Sequence, residues 1–368
     1  MNHIQNIEIN NFKSIRNVTI ADCKRINLFI GPPNVGKSNI LEGLSLFGFV
    51  EGNSRSQNLN DYVRFETASS LFFEKNVSEK FSLKLNNNDT GIEGYVKQTG
   101  TNKEFHLMHF NYFNNDSLTP YSYRKTFNLT NDLNVMHYVK DSHGELGTDA
   151  RGFSGMDIKT PIDSLKNSNI KKYHFEKNTK YIDYNTNELN IPKGENLGTF
   201  LAYQKNKDLI KAIQQLVEPN TFELESSGGI KLRKKNNGGL NISFAYNEIA
   251  DTLQRVIFHL TAVMSNENSV LLFEEPEAHC YEPYILDFTN AVKYDKQNNQ
   301  YFMVTHSDYI VSEFLRDEEY RNQTNIYLVG LAQDGDTIVK LLDRQKADDV
   351  YKYGTNVFFN YEQLWNEN

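Results

Sequence analysis

The run Gly31-Pro32-Pro33-Asn34-Val35-Gly36-Lys37-Ser38 has the spacing G-x-x-x-x-G-K-[ST]. That spacing suits one chemistry, the holding of nucleotide phosphates. Consecutive backbone N–H groups, here from about Val35 to Ser38, can wrap a β-phosphate, and a helix opening at the loop adds positive potential. Lys37 would reach the β- and γ-phosphates, and the Ser38 hydroxyl would take Mg²⁺. The nucleotide-binding set is therefore Gly31, Asn34, Val35, Gly36, Lys37 and Ser38, with Asn39 at the start of the helix. Pro32 and Pro33 have no N–H to donate. They precede the donors that matter, so they stiffen the loop without removing a needed contact.

A second run, Val270-Leu271-Leu272-Phe273-Glu274-Glu275-Pro276-Glu277, places acids at the end of four apolar residues. A buried strand of this kind delivers its carboxylates to the crevice where ligands bind in α/β sheets. Glu274 would reach Mg²⁺ or its waters, and Glu275 would act as general base on the attacking water. Paired acids after a strand are common as an exposed acidic end; the phosphate loop in the same chain is what favours the catalytic reading. A third piece, Thr305-His306-Ser307, ends the next apolar strand, and the strand order brings His306 to the γ-phosphate.

These residues need elements to hold them. Ile26 to Ile30 reads as a short buried strand before the loop, and Ser38 to Phe49 as a helix with Ile40, Leu41, Leu44 and Phe47 at helical spacing. Ile4 to Ile9 and Val18 to Ile20 read as strands, as do Ser70 to Glu74, Lys80 to Leu85, Gly91 to Lys97 and Glu104 to Phe113, an antiparallel meander. Residues 114–196 form an insertion of mixed structure in which Gly144, Gly147, Gly152 and Gly155 mark a loose portion. Leu197 to Val217 reads as one helix, and Thr221 to Ala245 as strands around glycine turns. Asn247 to Met264 reads as an amphipathic helix. Beyond the acids, Glu282 to Val292 and Asp308 to Leu315 are helical, and Tyr301 to Val304, Asn325 to Val329 and Thr337 to Leu342 are strands. Leu364-Trp365 sits in a docked terminal helix. The whole predicts an α/β fold, one nucleotide-binding head over 1–368, with a mixed central sheet, an antiparallel N-terminal sheet and the 114–196 insertion.

The composition narrows the class. The chain has 368 residues and a net charge of −8, so it is not globally built for nucleic acid, although a local basic face is open to it. Cys23 and Cys280 fit no metal or disulfide framework and read as reduced, packed thiols. No leader-like run opens the chain, and no apolar run approaches the roughly 20 residues a membrane span needs. The expectation is a cytoplasmic protein with no membrane contact.

Together, the phosphate loop, Glu274-Glu275-Pro276-Glu277 and Thr305-His306-Ser307 resemble the ABC-type ATPase heads, in the branch of SMC and RecF proteins and of the ATPase domains of overcoming-lysogenization-defect nucleases. The resemblance runs from Phe12-Lys13-Ser14-Ile15 to Ser307. It implies ATP and Mg²⁺ as ligands, with Ser38 and Glu274 on the metal. It also implies pairing of two heads, a homodimer or higher homo-oligomer, each ATP lying between one head's phosphate loop and the other's signature helix. His306 is then the switch histidine. Glu274 stands where most of the family has Asp. The family's Ser-Gly-Gly signature has a look-alike in Ser226-Ser227-Gly228-Gly229, but that run lies about twice too far ahead of Glu274. Ala250-Asp251-Thr252 lies at the expected distance and is assigned the signature position, without its serine and glycines. Thr252 can offer a hydroxyl to the opposing γ-phosphate, and the degenerate motif implies slow turnover.

The chain is also similar to ATPase components of bacterial antiphage systems of the PARIS, Septu and retron-associated kinds, through Asp251-Thr252-Leu253-Gln254-Arg255 and Phe358-Phe359-Asn360. That implies a nucleotide-dependent sensor or scaffold controlling a separate effector, a nuclease or toxin. The alternative is a RecF-like repair clamp that binds duplex DNA, for which Lys231, Arg233, Lys234 and Lys235 are the candidate contacts. Glu275 and His306 speak against a third option, a P-loop kinase. Asp334-Gly335-Asp336 reads as a turn rather than a nuclease metal pair. His106, His109, His137, His143 and His174 show no metal-ligand spacing.

Overall fold

The computed structural model describes residues 3–50, 58–86, 90–99, 102–113, 117–129, 136–143, 169–177, 179–181, 188–203, 207–218, 222–225, 231–234 and 242–368. The chain gathers into two compact units. One comprises Met1–Lys24, Phe29–Ile170 and Tyr327–Leu341, the other Arg25–Leu28, Lys171–Ile326 and Leu342–Asn368.

In the first unit, β1 (Ile7–Phe12) and β2 (Ile15–Ile20) form a tight hairpin, with Asn11 and Lys13 in left-handed conformations at its turn. β3 (Ile26–Ile30) is buried along its whole length and ends at the phosphate loop, from which α1 (Lys37–Val50) departs. β4 (Phe81–Leu85), β5 (Thr90–Thr99), β6 (Asn102–Phe113), β7 (Ser117–Leu129) and β8 (Met136–His143) complete an antiparallel sheet of order β2-β1-β4-β5-β6-β7-β8. The predicted meander is thus present, and it continues through β7 and β8 into the predicted insertion. Gly144, Gly147, Gly152 and Gly155 lie outside the described residues.

Ser70 to Glu74 is not a strand. Two 3₁₀ turns, Ala68–Leu71 and Phe73–Lys75, replace it, because Glu74 and Lys75 sit at φ 50° and 58°, which ends any extended run. What the apolar pair Leu71-Phe72 does instead is plug the core. Phe72 forms an isolated bridge to Phe12 and packs edge-on to Phe81 at 5.4 Å. Aromatic contact then passes from Phe81 to Phe105 to Phe127 to Phe49 on α1. α1 lies close on this sheet because of Gly43: a Cβ there would meet Leu83 Cδ2 at 2.5 Å. Nearly all of α1 is buried, so the helix carrying Lys37 and Ser38 is held along its length by packing.

In the second unit, β9 (Ile170–Tyr173) is followed by α2 (Leu197–Tyr203) and α3 (Lys207–Val217). Both lie within the helix predicted over Leu197 to Val217, with residues 204–206 outside the described residues. β10 (Phe222–Glu225), β11 (Lys231–Lys234) and β12 (Ile242–Ala245) make a small antiparallel sheet. A 3₁₀ turn at Tyr246–Glu248 precedes α4 (Asp251–Met264), so the predicted helix starts four residues late. β13 (Val270–Glu274), α5 (Glu282–Lys293), β14 (Gln300–Val304), α6 (Asp308–Arg316) and α7 (Glu318–Asn322) follow. β13 and β14 are parallel and in step, Val270 opposite Gln300 and Glu274 opposite Val304. β9 flanks β13, and the first residues of β3 flank β14, where Asn27 Nδ2 donates to the Tyr301 carbonyl at 3.1 Å.

The chain returns through β15 (Thr324–Leu331), which pairs antiparallel with β16 (Thr337–Leu341) across the Asp334-Gly335-Asp336 turn. It closes with α8 (Arg344–Tyr353) and α9 (Tyr361–Glu367). No helix among the described residues is long and apolar enough to cross a membrane. Burial raises the Cys23 thiol to about 12 and the Cys280 thiol to about 11, so both stay protonated at neutral pH.

Candidate functional site

The predicted residues fall into two groups, one in each unit. In the first unit the phosphate loop leaves β3 at Gly31 and turns through Asn34 (φ 62°) and Gly36 (φ 99°) into α1. Gly36 is required twice over. Its φ is one that side chains rarely adopt, and a Cβ would meet Thr337 Oγ1 at 2.5 Å and Ser14 Oγ at 2.8 Å. Pro32, Pro33 and Asn34 are exposed, whereas Val35 and Lys37 are buried. Lys37 folds back on its own loop, Nζ donating to the carbonyls of Gly31 at 2.9 Å and Pro32 at 2.6 Å. No acid stands in the first turn of α1. A positively poled helix start, a lysine held on carbonyls and no competing carboxylate in that turn fit a phosphate group.

Ser14 supports the loop from behind, a role the sequence left unassigned. Its hydroxyl lies 3.0 Å from Thr337 Oγ1 and accepts from Asn39 Nδ2 at 2.7 Å, and its carbonyl accepts from Thr337 Oγ1 at 3.1 Å. The β1–β2 turn, α1 and the start of β16 are thereby tied together around Gly36. Deeper in α1, the fully buried Glu42 pairs with Lys13 and, at 2.7 Å, with Arg64.

In the second unit the parallel register of β13 and β14 does the positioning. The strands end together, and Glu275 N–H donates to the Val304 carbonyl at 2.8 Å. Glu275 is left-handed, φ 46°. Its Oε1 lies 3.5 Å from His306 Nε2, with the two side chains 47% and 41% exposed. A carboxylate and a histidine within reach of one another and of solvent form an arrangement that could activate water.

Glu277 secures this pair from below. Its Oε1 accepts from Thr305 Oγ1 at 2.8 Å and from the His306 N–H at 2.6 Å, while the shielded Oε2 meets no hydrogen-bond partner among the described residues. Burial raises the Glu277 carboxyl above its ordinary range, opposed chiefly by the bond from His306 N–H. Ser307 Oγ caps α6 by accepting from Ile310 N–H at 3.3 Å. The third acid of Glu-Glu-Pro-Glu was visible in the sequence, but nothing local marked its partner 28 and 29 residues away.

Glu274, at 13% exposure, lies 4.0 Å from the ammonium of Lys172 on β9. Ala250 precedes α4, Asp251 holds Arg255 at 2.9 Å, and the Thr252 hydroxyl donates to the His279 carbonyl at 2.9 Å. The Thr252 proton is thus engaged within its own unit. Ser226 to Gly229 and Lys235 lie outside the described residues. In β11 the register sets Lys231 opposite Glu225 and Arg233 opposite Glu223. Among the described residues no group of three or more His, Cys, Asp or Glu could hold a metal.

A family described as "AAA domain, putative AbiEii toxin, Type IV TA system" matches residues 26–312. A Helicobacter pylori protein named ATP/GTP phosphatase is 23% identical over 391 residues, covering 98% of each chain. Among solved structures, an SMC head bound to the C-winged helix domain of ScpA covers 95% of this chain and 100% of its own, at 16% identity and TM-score 0.46. The SMC head domain of Thermotoga maritima covers 93% and 100%, at 10% identity and TM-score 0.42. An SMC head with an extended coiled coil, bound to the C-terminal domain of ScpA from Pyrococcus furiosus, covers 96% and 99%, at 13% identity and TM-score 0.45.

Proposed function

The chain belongs to the AAA domain family described as putative AbiEii toxin of a Type IV TA system, and from that premise we propose that it hydrolyses ATP with Lys37, Glu275 and His306. ATP is held by Gly31, Asn34, Val35, Gly36, Lys37, Ser38 and Asn39. Ser38 and Glu274 are the residues that would hold Mg²⁺, which would supply charge neutralisation for the phosphates. Lys37 exchanges the Gly31 and Pro32 carbonyls for phosphate oxygens. Glu275 takes the proton of the attacking water, and His306 donates to the γ-phosphate. The observation that carries this reading is the Glu275–His306 pair at 3.5 Å, set by strand register and by Glu277. Two copies meet through the nucleotide, with Ala250, Asp251 and Thr252 of one facing the other's phosphates. Because the Thr252 proton is given to His279, its contribution there is an acceptor oxygen, which suits slow turnover.

At the cellular level the proposal is a nucleotide-dependent scaffold or sensor that governs a separate effector in antiphage defence. It draws support from the toxin–antitoxin description of the family and from the sequence resemblance. The duplex-DNA clamp has no comparable support in the family description. The test is direct. Lys37→Ala is expected to lose ATP binding, and Glu275→Gln to bind ATP and hydrolyse it at least about 100-fold more slowly. Wild-type turnover by Glu275→Gln, measured as phosphate release, would remove Glu275 as the base.

A further inference from the structure

The C-terminal segment returns to His306, the histidine paired with Glu275. His306, Glu275 and residues 356–360 all belong to the second unit. Glu277 fixes the His306 backbone through its N–H, but a backbone bond leaves the imidazole free to turn. That side chain is 41% exposed, and an exposed side chain moves among its rotamers unless a neighbour restricts it. Phe358 is such a neighbour. Its ring centroid lies 6.3 Å from that of His306, with the planes tilted by 32°, within the range of aromatic pairs. Phe358 is itself held. Val357 before it is fully buried and donates its N–H to Asp308 Oδ1 at 3.0 Å, two residues past the histidine. Asn356 Oδ1 accepts from the N–H groups of Phe358 and Phe359, both at 3.0 Å, and Asn360 Nδ2 donates to the Asn356 carbonyl at 2.9 Å. α9 follows at once and buries Tyr361 and Leu364. Phe359, by contrast, is 92% exposed.

We propose that Phe358 is a positioning residue for His306, and that residues 356–360 form a clasp keeping its ring turned towards Glu275. The inference rests on the reading of His306 as a reacting residue. A flat ring alongside the imidazole removes rotamers that would carry Nε2 away from the Glu275 carboxylate, which stands 3.5 Å off. Orientation settled before the reaction spares the entropy of fixing the group at that moment. The Phe358-Phe359 run thereby has a physical division of labour: the first ring faces the histidine and the second is left to solvent.

The experiment follows phosphate release from ATP and the NMR signals of the histidine rings in the full chain. Phe358→Leu fills much of the same space without the flat ring. It is expected to lower kcat about 10-fold, with KM for ATP within about twofold of wild type. Phe358→Tyr keeps the ring and should retain most of the rate. Phe359→Leu, the same change at the exposed neighbour, should leave kcat as in wild type. The His306 ring resonance, identified by its loss in His306→Ala, should shift in Phe358→Leu and stay in place in Phe359→Leu. If Phe358→Leu does not fold, Phe358→Met carries the same expectations. An unshifted His306 resonance or an unchanged kcat in the Phe358 variant overturns the clasp. So does an equal fall of kcat in Phe359→Leu, which would trace the effect to lost apolar bulk rather than to the ring beside His306. His306→Ala is the reference. If it hydrolyses ATP at the wild-type rate, the reacting role of His306 falls, and the NMR signal alone decides whether the clasp exists.

Discussion

At the scale of single residues, the site depends as much on side chains that support as on those that react. Glu277 is the clearest case. One of its oxygens holds both the Thr305 hydroxyl and the His306 N–H, so the histidine's place relative to Glu275 is set by a third carboxylate. Glu277→Ala should lower kcat for ATP hydrolysis roughly 10- to 100-fold with little change in nucleotide affinity, because displacement of a reacting group by about 1 Å can cost that much. Separate measurement of kcat and of ATP binding checks it. An equal loss in both would mean that the substitution disturbs the fold instead. Glu277→Gln keeps an acceptor oxygen for both donors and should retain most of the rate. The Ser14–Thr337–Asn39 cluster does comparable work behind Gly36. Neither cluster could be read from the chain alone, since each joins residues far apart in sequence and has no motif.

At the scale of elements, what was legible was whatever carried its own pattern. β3 and β13 are unbroken apolar runs, α4 has a helical stripe, and the phosphate loop has a fixed spacing. All were found within a few residues of their ends. The misses have physical causes. Ser70 to Glu74 has strand-like composition, but Glu74 and Lys75 take left-handed conformations that only the tertiary setting dictates. Asn247 to Ala250 fits a helical period, yet a 3₁₀ turn sits there first: Glu248 accepts from the Ala245 N–H at 2.7 Å, and the buried Tyr246 hydroxyl reaches forward to the Gln254 carbonyl. The basic strand β11 was judged on its own charges, whereas its neighbour β10 supplies acids at matching register. Pairing is something sequence does not display. For the same reason β9 drew no attention, although its Lys172 stands beside a predicted site residue.

At the scale of the whole molecule, stability carries the marks of buried titratable groups. His259 on α4 is enclosed by Phe258, Phe273 and Phe288, with ring centroids 5.4 to 5.8 Å away. Burial lowers its proton affinity to about 3, with Arg255 adding to the effect. The unfolded chain therefore binds this proton more readily than the folded one between about 6.5 and 3, so stability is full above that window and falls as pH drops through it. By pH 5 the loss from this residue alone is about 2 kcal/mol. Thermal melts at pH 7.5 and pH 5 should show a smaller difference for His259→Phe than for wild type, and an unchanged difference would clear His259 of the acid sensitivity. Glu275 trades against the same reserve. Its φ of 46° costs a residue with a side chain about 1 kcal/mol that glycine would be spared. Glu275→Gly should therefore melt at a higher temperature, by scanning calorimetry, while lacking the proposed base; a lower melting temperature would show the conformation to be unstrained. With Glu275 in its proposed role as the base, evolution would have a downhill path from this position to inactivity. A lineage released from selection for ATP turnover would gain robustness by drifting to glycine here, so glycine after the first acid would mark descendants that kept the scaffold and abandoned the reaction.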